Sequence, residues 1–99
     1  MMNNRKRGSD ANSELYRAIL KLRTPEECYA FMQDLCTQTE LKAIEQRYEV
    51  ANMLASGMIY NDILAKTGAS SATVSRVNRS LLSGKDAYHL IFERMQEEE

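Results

Sequence analysis

The amino-acid sequence predicts an all-α protein, and three observations lead to this prediction. Apolar residues recur at spacings of three and four along most of the 99-residue chain, which is the period of one helix face. No segment shows the sustained alternation of apolar and polar residues, rich in β-branched side chains, that is typical of a half-buried strand. The only proline, Pro25, and every glycine beyond Gly8 fall between the periodic segments, where they mark helix ends.

Six helices are predicted in order along the chain, at residues 12–22, 25–36, 39–56, 59–66, 70–82 and 86–97. The second begins with Thr24 as its cap, Pro25 at the first helical position, and Glu27 closing a capping box. Thr37 and Glu40 have the spacing of a second capping box, which predicts the start of the third helix.

The third predicted helix is apolar on two of its faces. One face consists of Leu41, Ile44, Tyr48, Ala51 and Ala55, and the other of Val50, Met53 and Leu54. We therefore expect this helix to be central and to be packed from two sides. A positive φ is expected at the glycines that follow the third, fourth and fifth helices, where a left-handed residue is favoured; these are Gly57, Gly68 and Gly84.

Length and composition exclude several classes of protein. A hydrophobic content of 43% is too high for a disordered chain, and the longest uncharged segment, 50–61, is much shorter than a membrane span of about 20 residues. No apolar run follows the basic residues near the N-terminus, so no secretory signal is expected and a cytoplasmic protein is predicted. A chain this short buries only about 60–65% of its unfolded surface, which favours oligomerisation.

The cysteine and histidine content does not favour a metal site, a cofactor or catalysis. Cys28 and Cys36 lie on one predicted helix, about 12 Å apart along its axis, so they cannot form a disulfide with each other and are expected to be reduced and buried. The single histidine, His89, is accompanied neither by a Cys-x-x-Cys motif nor by a nucleophile motif. No metal, no cofactor and no enzymatic activity are therefore predicted.

The segment 59–82 carries the most specific pattern in the chain, that of a helix-turn-helix. A glycine permits a short turn between two helices, and Gly68 occupies that place. The apolar residues predicted to pack between the two helices are Ile63, Ala69, Val74 and Val77. An ordinary helix pair of a bundle would also fit the turn, but residues 69–73 contain no Asp, Glu or Leu, which favours DNA binding over a generic solvated face.

The polar face of the second helix provides the candidate DNA contacts. The residues expected to face base edges are Ser71, Ala72, Thr73 and Ser75. The residues expected to meet phosphates are Lys66, Ser70, Arg76 and Arg79. Tyr60 and Asn61 begin the first helix of the pair and are further candidates, although Tyr60 would equally well cover the helix pair.

The net charge of −1 conceals four blocks of alternating sign. Residues 1–25 carry +4, 26–57 carry −4, 58–85 carry +3, and 86–99 carry −4. The positive blocks coincide with the N-terminal segment and with the helix-turn-helix, which is the charge distribution expected of a DNA-binding protein. We predict a flexible basic arm at 1–10 and a single helical DNA-binding domain at 11–99.

The helix-turn-helix segment also resembles a known family. The motif Thr67-Gly-Ala-Ser-Ser-Ala-Thr-Val-Ser-Arg-Val-Asn-Arg79, followed by Gly84 and Tyr88, is similar to that of the Trp repressor superfamily, and most of all to its TrpR-like YerC/YecD family. Looser similarities at Glu27-Cys-Tyr, Asp34-Leu-Cys-Thr and Gln46-Arg-Tyr-Glu-Val-Ala extend the resemblance over 13–96. The resemblance implies a six-helix intertwined homodimer that regulates transcription, with paired helix-turn-helix units on half-sites of double-stranded DNA about 34 Å apart.

The resemblance also implies a small-effector site. Arg47 and Arg76 correspond to the two arginines that meet the carboxylate of the amino-acid corepressor, Thr37 backs that site, and Ser80 helps to hold the amino group. Val77 departs from the family pattern, because the repressor has a glycine there against which the indole ring lies. Overfilling a packed site costs about 1–3 kcal/mol, so L-tryptophan is not the expected ligand.

Alternatives stay open for both arginines and for the function. Each arginine could instead pair with Glu45, Glu49 or a helix C-terminus, or it could contact a DNA phosphate. The alternative function is a protein-interaction module, whose helix-turn-helix would pack on another regulator without direct DNA binding, as the acidic segment 26–57 would allow.

Overall fold

The computed structural model describes residues 10–98, and all regular structure in that part of the chain is helical. The helices are α1 (Glu14–Ile19), α2 (Pro25–Leu35), α3 (Gln38–Ala55), α4 (Tyr60–Thr67), α5 (Ser71–Ser83) and α6 (Ala87–Glu97). The all-α, six-helix prediction is confirmed, and α2 to α6 begin and end within one residue of the predicted bounds. Apart from its last residue, the predicted basic arm at 1–10 lies outside the described residues.

The chain divides into two compact units at the start of α3, one ending at Gln38 and one beginning at Thr39. In the N-terminal unit, the predicted cap of α2 forms. The hydroxyl of Thr24 accepts a hydrogen bond from the Glu27 N–H at 3.0 Å. The Glu27 carboxylate accepts from the N–H of Arg23 at 2.8 Å, one residue before the cap. Pro25 occupies the first helical turn, so this helix start follows from local sequence alone.

Helix α1 ends three residues earlier than predicted. After Ile19 the backbone tightens, since the N–H of Lys21 bonds to the carbonyl of Ala18 at 2.9 Å and the N–H of Leu22 to that of Ile19 at 3.1 Å. These i to i−3 bonds are the tighter turns that commonly finish a helix. Leu22, the last residue of the predicted helix, therefore lies outside α1.

The prediction that both cysteines are buried is wrong. Cys28 is exposed, Cys36 is half-buried, and both are free thiols. The reason is that α2 buries none of its residues, and α1 buries none either. Large apolar side chains such as Leu20 (83% exposed) and Tyr29 (56%) therefore stand on the surface of the single chain. The apolar character of a cysteine carries no information about what covers it.

The core of the C-terminal unit lies where α3, α4 and α5 meet. Its buried members are Val50, Ala51, Ile63, Ala69, Val74, Val77 and Leu81. All four residues predicted to pack between the helices of the helix-turn-helix are among them, so that prediction is confirmed. On α3, the predicted apolar face that contains Ile44 and Tyr48 is only partly covered in the single chain, because these two residues are 39% and 36% exposed.

Helix α6 packs against this core through its aromatic residues. The ring centroid of Phe92 lies 5.7 Å from the ring centroid of Tyr48 on α3 and 6.0 Å from that of Tyr88. His89 places Nε2 at 3.2 Å from the carbonyl oxygen of Leu81, at the end of α5. Since a carbonyl only accepts, Nε2 carries the hydrogen of this bond, and His89 has a structural role.

Two of the three glycine predictions are confirmed and one is wrong. Gly57 and Gly68 have positive φ angles of 91° and 73°. Gly84 has a φ of −82°, so it is not left-handed. A Cβ at Gly84 would collide with the backbone carbonyl oxygen of Ser80, and this close approach is the reason that glycine is needed. The left-handed residue of this turn is Asp86, with a φ of 65°.

Candidate nucleic-acid interface

The candidate site is built on α4, α5 and the turn that joins them. Helix α4 ends at Gly68, whose N–H bonds to the carbonyl of Leu64 at 3.0 Å while its backbone turns left-handed. Helix α5 begins after Ser70, whose hydroxyl accepts from the N–H of Thr73 at 3.1 Å. A glycine end and a serine cap only two residues apart produce the short turn of a helix-turn-helix.

Two side chains that sequence reasoning missed hold this turn in place. The hydroxyl of Thr67 donates to the carbonyl of Ile63 at 2.7 Å and accepts from the N–H of Ala69 at 3.1 Å. The amide of Gln46 on α3 donates to the carbonyl of Thr67 at 3.2 Å. A threonine just before a helix-ending glycine was a usable local signal. The Gln46 contact was not, because 21 residues separate the two partners.

Helix α5 separates its buried and outward faces in the way the sequence predicts. Val74, Val77 and Leu81 are buried. The candidate contact residues on the other side are exposed at Ser70, Ser71, Ala72, Arg76 and Arg79 and half-buried at Thr73 and Ser75. The helix itself, Ser71–Ser83, contains no Asp or Glu. Its outward face is therefore small, hydroxyl-rich and positively charged.

The hydroxyl of Ser70 already has partners within the chain. Besides capping α5, it lies 3.1 Å from the hydroxyl of Thr73. These bonds give Ser70 a structural role at the helix start. On α4, the further candidates Tyr60, Asn61 and Lys66 are all exposed, with Tyr60 at 39%. Tyr60 thus keeps its ring partly accessible to a partner.

A groove between α3 and α5 brings several candidate residues together. It has a volume of about 360 Å³ and is lined by Arg47, Ala72, Thr73, Arg76 and Arg79. Three of the five lining side chains are guanidinium groups, and none is a carboxylate. Within residues 10–98, Arg47, Arg76 and Arg79 form no ion pair, so neither Glu45 nor Glu49 neutralises Arg47.

Two residues of the predicted effector site lie together in this groove. Arg47 and Arg76 both line it. Ser80 is exposed further along α5 and does not line it, and Thr37 is exposed in the N-terminal unit just before α3. Val77 is only 2% exposed and belongs to the apolar core. The groove thus joins the two arginines to Arg79, which sequence reasoning had placed only among the phosphate contacts.

Within residues 10–98, no helix is both long and apolar enough to cross a lipid bilayer. In the same range, no three His, Cys, Asp or Glu side chains are grouped so as to hold a metal ion.

Comparison with known proteins extends over nearly the whole chain. The sequence profile described as Trp repressor protein matches residues 11–96. The chain belongs to the Trp repressor protein family. The match covers α1 to α5 in full and α6 up to residue 96, so the resemblance found in the helix-turn-helix motif is confirmed.

Relatives within the Trp repressor family are similar in both sequence and fold. The uncharacterized protein YerC of Bacillus subtilis is 49% identical over 86 residues, which cover 87% of this chain and 83% of YerC. A crystal structure of a candidate Trp repressor from Staphylococcus aureus has a TM-score of 0.84 and 48% identity, covering 97% of this chain and 95% of the other. The crystal structure of a TrpR-like protein from Eubacterium eligens has the same score and identity, with coverage of 94% and 96%.

Proposed function

We propose that this protein is a sequence-specific DNA-binding transcriptional regulator of the Trp repressor type, a repressor that acts in the cytoplasm as a homodimer. The observation that carries the proposal is the outward face of α5. It presents small and hydroxyl-bearing side chains in its first turn, two arginines after them, and no carboxylate along its length. Such a face can approach a duplex closely without repelling its phosphates. Membership of a family of regulators supports regulation rather than catalysis.

The contacts divide into two kinds. Ser71, Ala72, Thr73 and Ser75 face base edges in the major groove, while Lys66, Ser70, Arg76 and Arg79 meet phosphates, with Tyr60 and Asn61 at the start of α4 beside them. Small hydroxyl side chains make few bidentate bonds to bases. We therefore expect bound water and DNA shape to contribute much of the specificity.

DNA binding is tested by titrating labelled random duplex with the full chain at two or more salt concentrations. We expect the binding constant to fall steeply with salt, with a slope of about −0.9 for each phosphate contacted in a plot of log K against log salt concentration. Selection of bound sequences from a random pool then gives the site and its half-site spacing. A flat salt response, or no binding at about 50 mM salt, would reject DNA binding in favour of the protein-interaction module.

The homodimer is supported by the apolar side chains that the single chain leaves uncovered. Helices α1, α2 and α6 bury no residue at all, although each carries an apolar stripe. Exposed examples are Leu15, Ile19, Tyr29, Leu35, Leu90, Ile91 and Met95. Apolar surface spread over three helices is typical of a chain that completes its core with a second copy. Light scattering at micromolar concentration is expected to give twice the 11.3 kDa chain mass, and a folded monomer would refute the dimer.

We propose that a small effector of this protein differs from L-tryptophan. Val77 is 2% exposed and belongs to the core, so its side chain occupies the position beside α5 where the ring would lie. Addition of millimolar L-tryptophan is therefore expected to leave the melting temperature unchanged, because a ligand that does not bind the native state cannot stabilise it. A rise of several degrees would show that the pocket accepts the ring despite Val77.

A further inference from the structure

A hydrogen bond from Gln46 joins the middle of α3 to the last residue of α4. The side-chain Nε2 of Gln46 donates to the backbone carbonyl of Thr67 at 3.2 Å, and both residues are half-buried. Helix α4 stops at Thr67 because Gly68 is left-handed, so this carbonyl has no N–H partner further along its own helix. Gln46 supplies the missing donor from a position 21 residues earlier in the chain.

Thr67 also connects this bond to the beginning of α5. Its hydroxyl accepts from the N–H of Ala69 at 3.1 Å, inside the turn of the helix-turn-helix. Ser70 follows and caps α5 by accepting from the N–H of Thr73. A shift of Thr67 relative to α3 is therefore passed through the turn to the first turn of α5, which carries the side chains proposed to face base edges.

The bond adds direction to a contact that is otherwise apolar. Gln46 lies one helical turn before Val50, which is completely buried in the core that α3 shares with α4 and α5. Those two helices contribute aliphatic side chains to this core, such as Ile63 and Val74. Burial of apolar surface has no preferred direction, whereas a hydrogen bond weakens steeply as its angle changes. The Gln46 bond beside the core therefore favours one orientation of the helix pair on α3.

We propose that Gln46 is a positioning residue for sequence-specific DNA recognition, acting through Thr67 on the base-facing turn of α5. This role rests on the proposed function. Base edges are recognised only when side chains lie within hydrogen-bonding distance of them, whereas random duplex is bound through phosphate contacts that carry no sequence information. Loss of the bond lowers the fraction of protein in the orientation that reads bases, and the affinity for the specific site falls with that fraction.

The proposal is tested with Gln46→Leu, which keeps a side chain of similar size and removes the donor. We expect the affinity for the duplex selected from the random pool to fall by roughly threefold to tenfold per subunit, the effect of one hydrogen bond. The affinity for random duplex should stay within about twofold of the wild type. The matched control is Gln38→Leu, the same replacement at the exposed first residue of α3, which should leave both affinities unchanged.

The deciding quantity is the ratio of the affinity for the selected duplex to that for random duplex, measured where circular dichroism shows the variant to be folded. A purely structural role would lower the melting temperature and leave this ratio unchanged. Gln46→Glu, which has the shape of glutamine but an acceptor in place of the donor, gives the same comparison should the leucine variant not fold.

The outcomes separate this role from the proposed function. A wild type that prefers the selected duplex, with Gln46 variants that keep the same ratio, overturns the positioning role and leaves the proposed function standing. A wild type that binds no duplex, or that binds all duplexes equally, rejects the proposed function and this role with it.

Discussion

Replacing Arg76 and Arg79 together by alanine is expected to weaken duplex DNA binding by at least about 100-fold at roughly 0.1 M salt. Both side chains are exposed on the outward face of α5, and neither is neutralised by a carboxylate within residues 10–98. Each phosphate contact releases bound counterions, so each contact contributes about −0.9 to the slope of log K plotted against log salt concentration. A homodimer that loses two contacts in each subunit therefore loses four in total, and its salt slope should fall by about 3.6.

The matched control is the double variant Lys42→Ala with Arg94→Ala. It removes the same net charge from exposed positions of α3 and α6, away from the helix-turn-helix. This control should bind DNA within a few-fold of the wild type, because a charge distant from the duplex is screened within about 10 Å at 0.1 M salt. Equal losses in the two double variants would show that binding follows total charge and not the face of α5, which would contradict the proposed interface.

The helix-turn-helix was predictable because the signals that define it are local. Gly68 as a left-handed helix end and Ser70 as a helix cap act within four residues of the bonds they make. The apolar spacing of Ile63, Val74 and Val77 then determined which sides of the two helices meet. Each of these signals agrees with the others, so the local prediction and the observed fold coincide.

The groove was less predictable because it depends on contacts between distant residues. Arg47 and Arg79 are 32 positions apart, and their common groove follows from the packing of α3 on α5. The Gln46 bond to the carbonyl of Thr67, the last residue of α4, also joins α3 to the helix-turn-helix. Periodicity assigns a residue to a face of its helix, but it does not state which face of another helix lies opposite.

The errors at Gly84 and Cys28 have a similar cause. A glycine after a helix suggests a left-handed helix end, but here the left-handed residue is Asp86. Gly84 is required instead because its backbone lies close to the carbonyl oxygen of Ser80. Burial of Cys28 was expected because a free cysteine behaves as a small apolar residue, but that preference does not mean that the same chain covers it. Both properties depend on neighbours that the local sequence does not specify.

Replacing Ile63 by alanine is expected to lower the free energy of unfolding by about 2–5 kcal/mol. The side chain is completely buried between α4 and the rest of the core, so its removal leaves a cavity that the neighbours fill only in part. Because native domains are stable by only about 5–15 kcal/mol, this is a large fraction of the total. Urea unfolding at a fixed protein concentration measures the loss, and fixed concentration matters because dimerisation contributes to apparent stability.

The matched control is Ile59→Ala, which deletes the same atoms four residues earlier. Ile59 is the residue preceding α4 and is 64% exposed, so its replacement should change the free energy of unfolding by less than about 0.5 kcal/mol. Ile63→Ala should also weaken DNA binding at temperatures where it is still folded, since the packing of Ile63 holds α4 against α5 and so orients the DNA-facing side of the pair. Similar losses of stability in the two variants would show that α4 is not anchored through Ile63, and would contradict the core described for the helix-turn-helix.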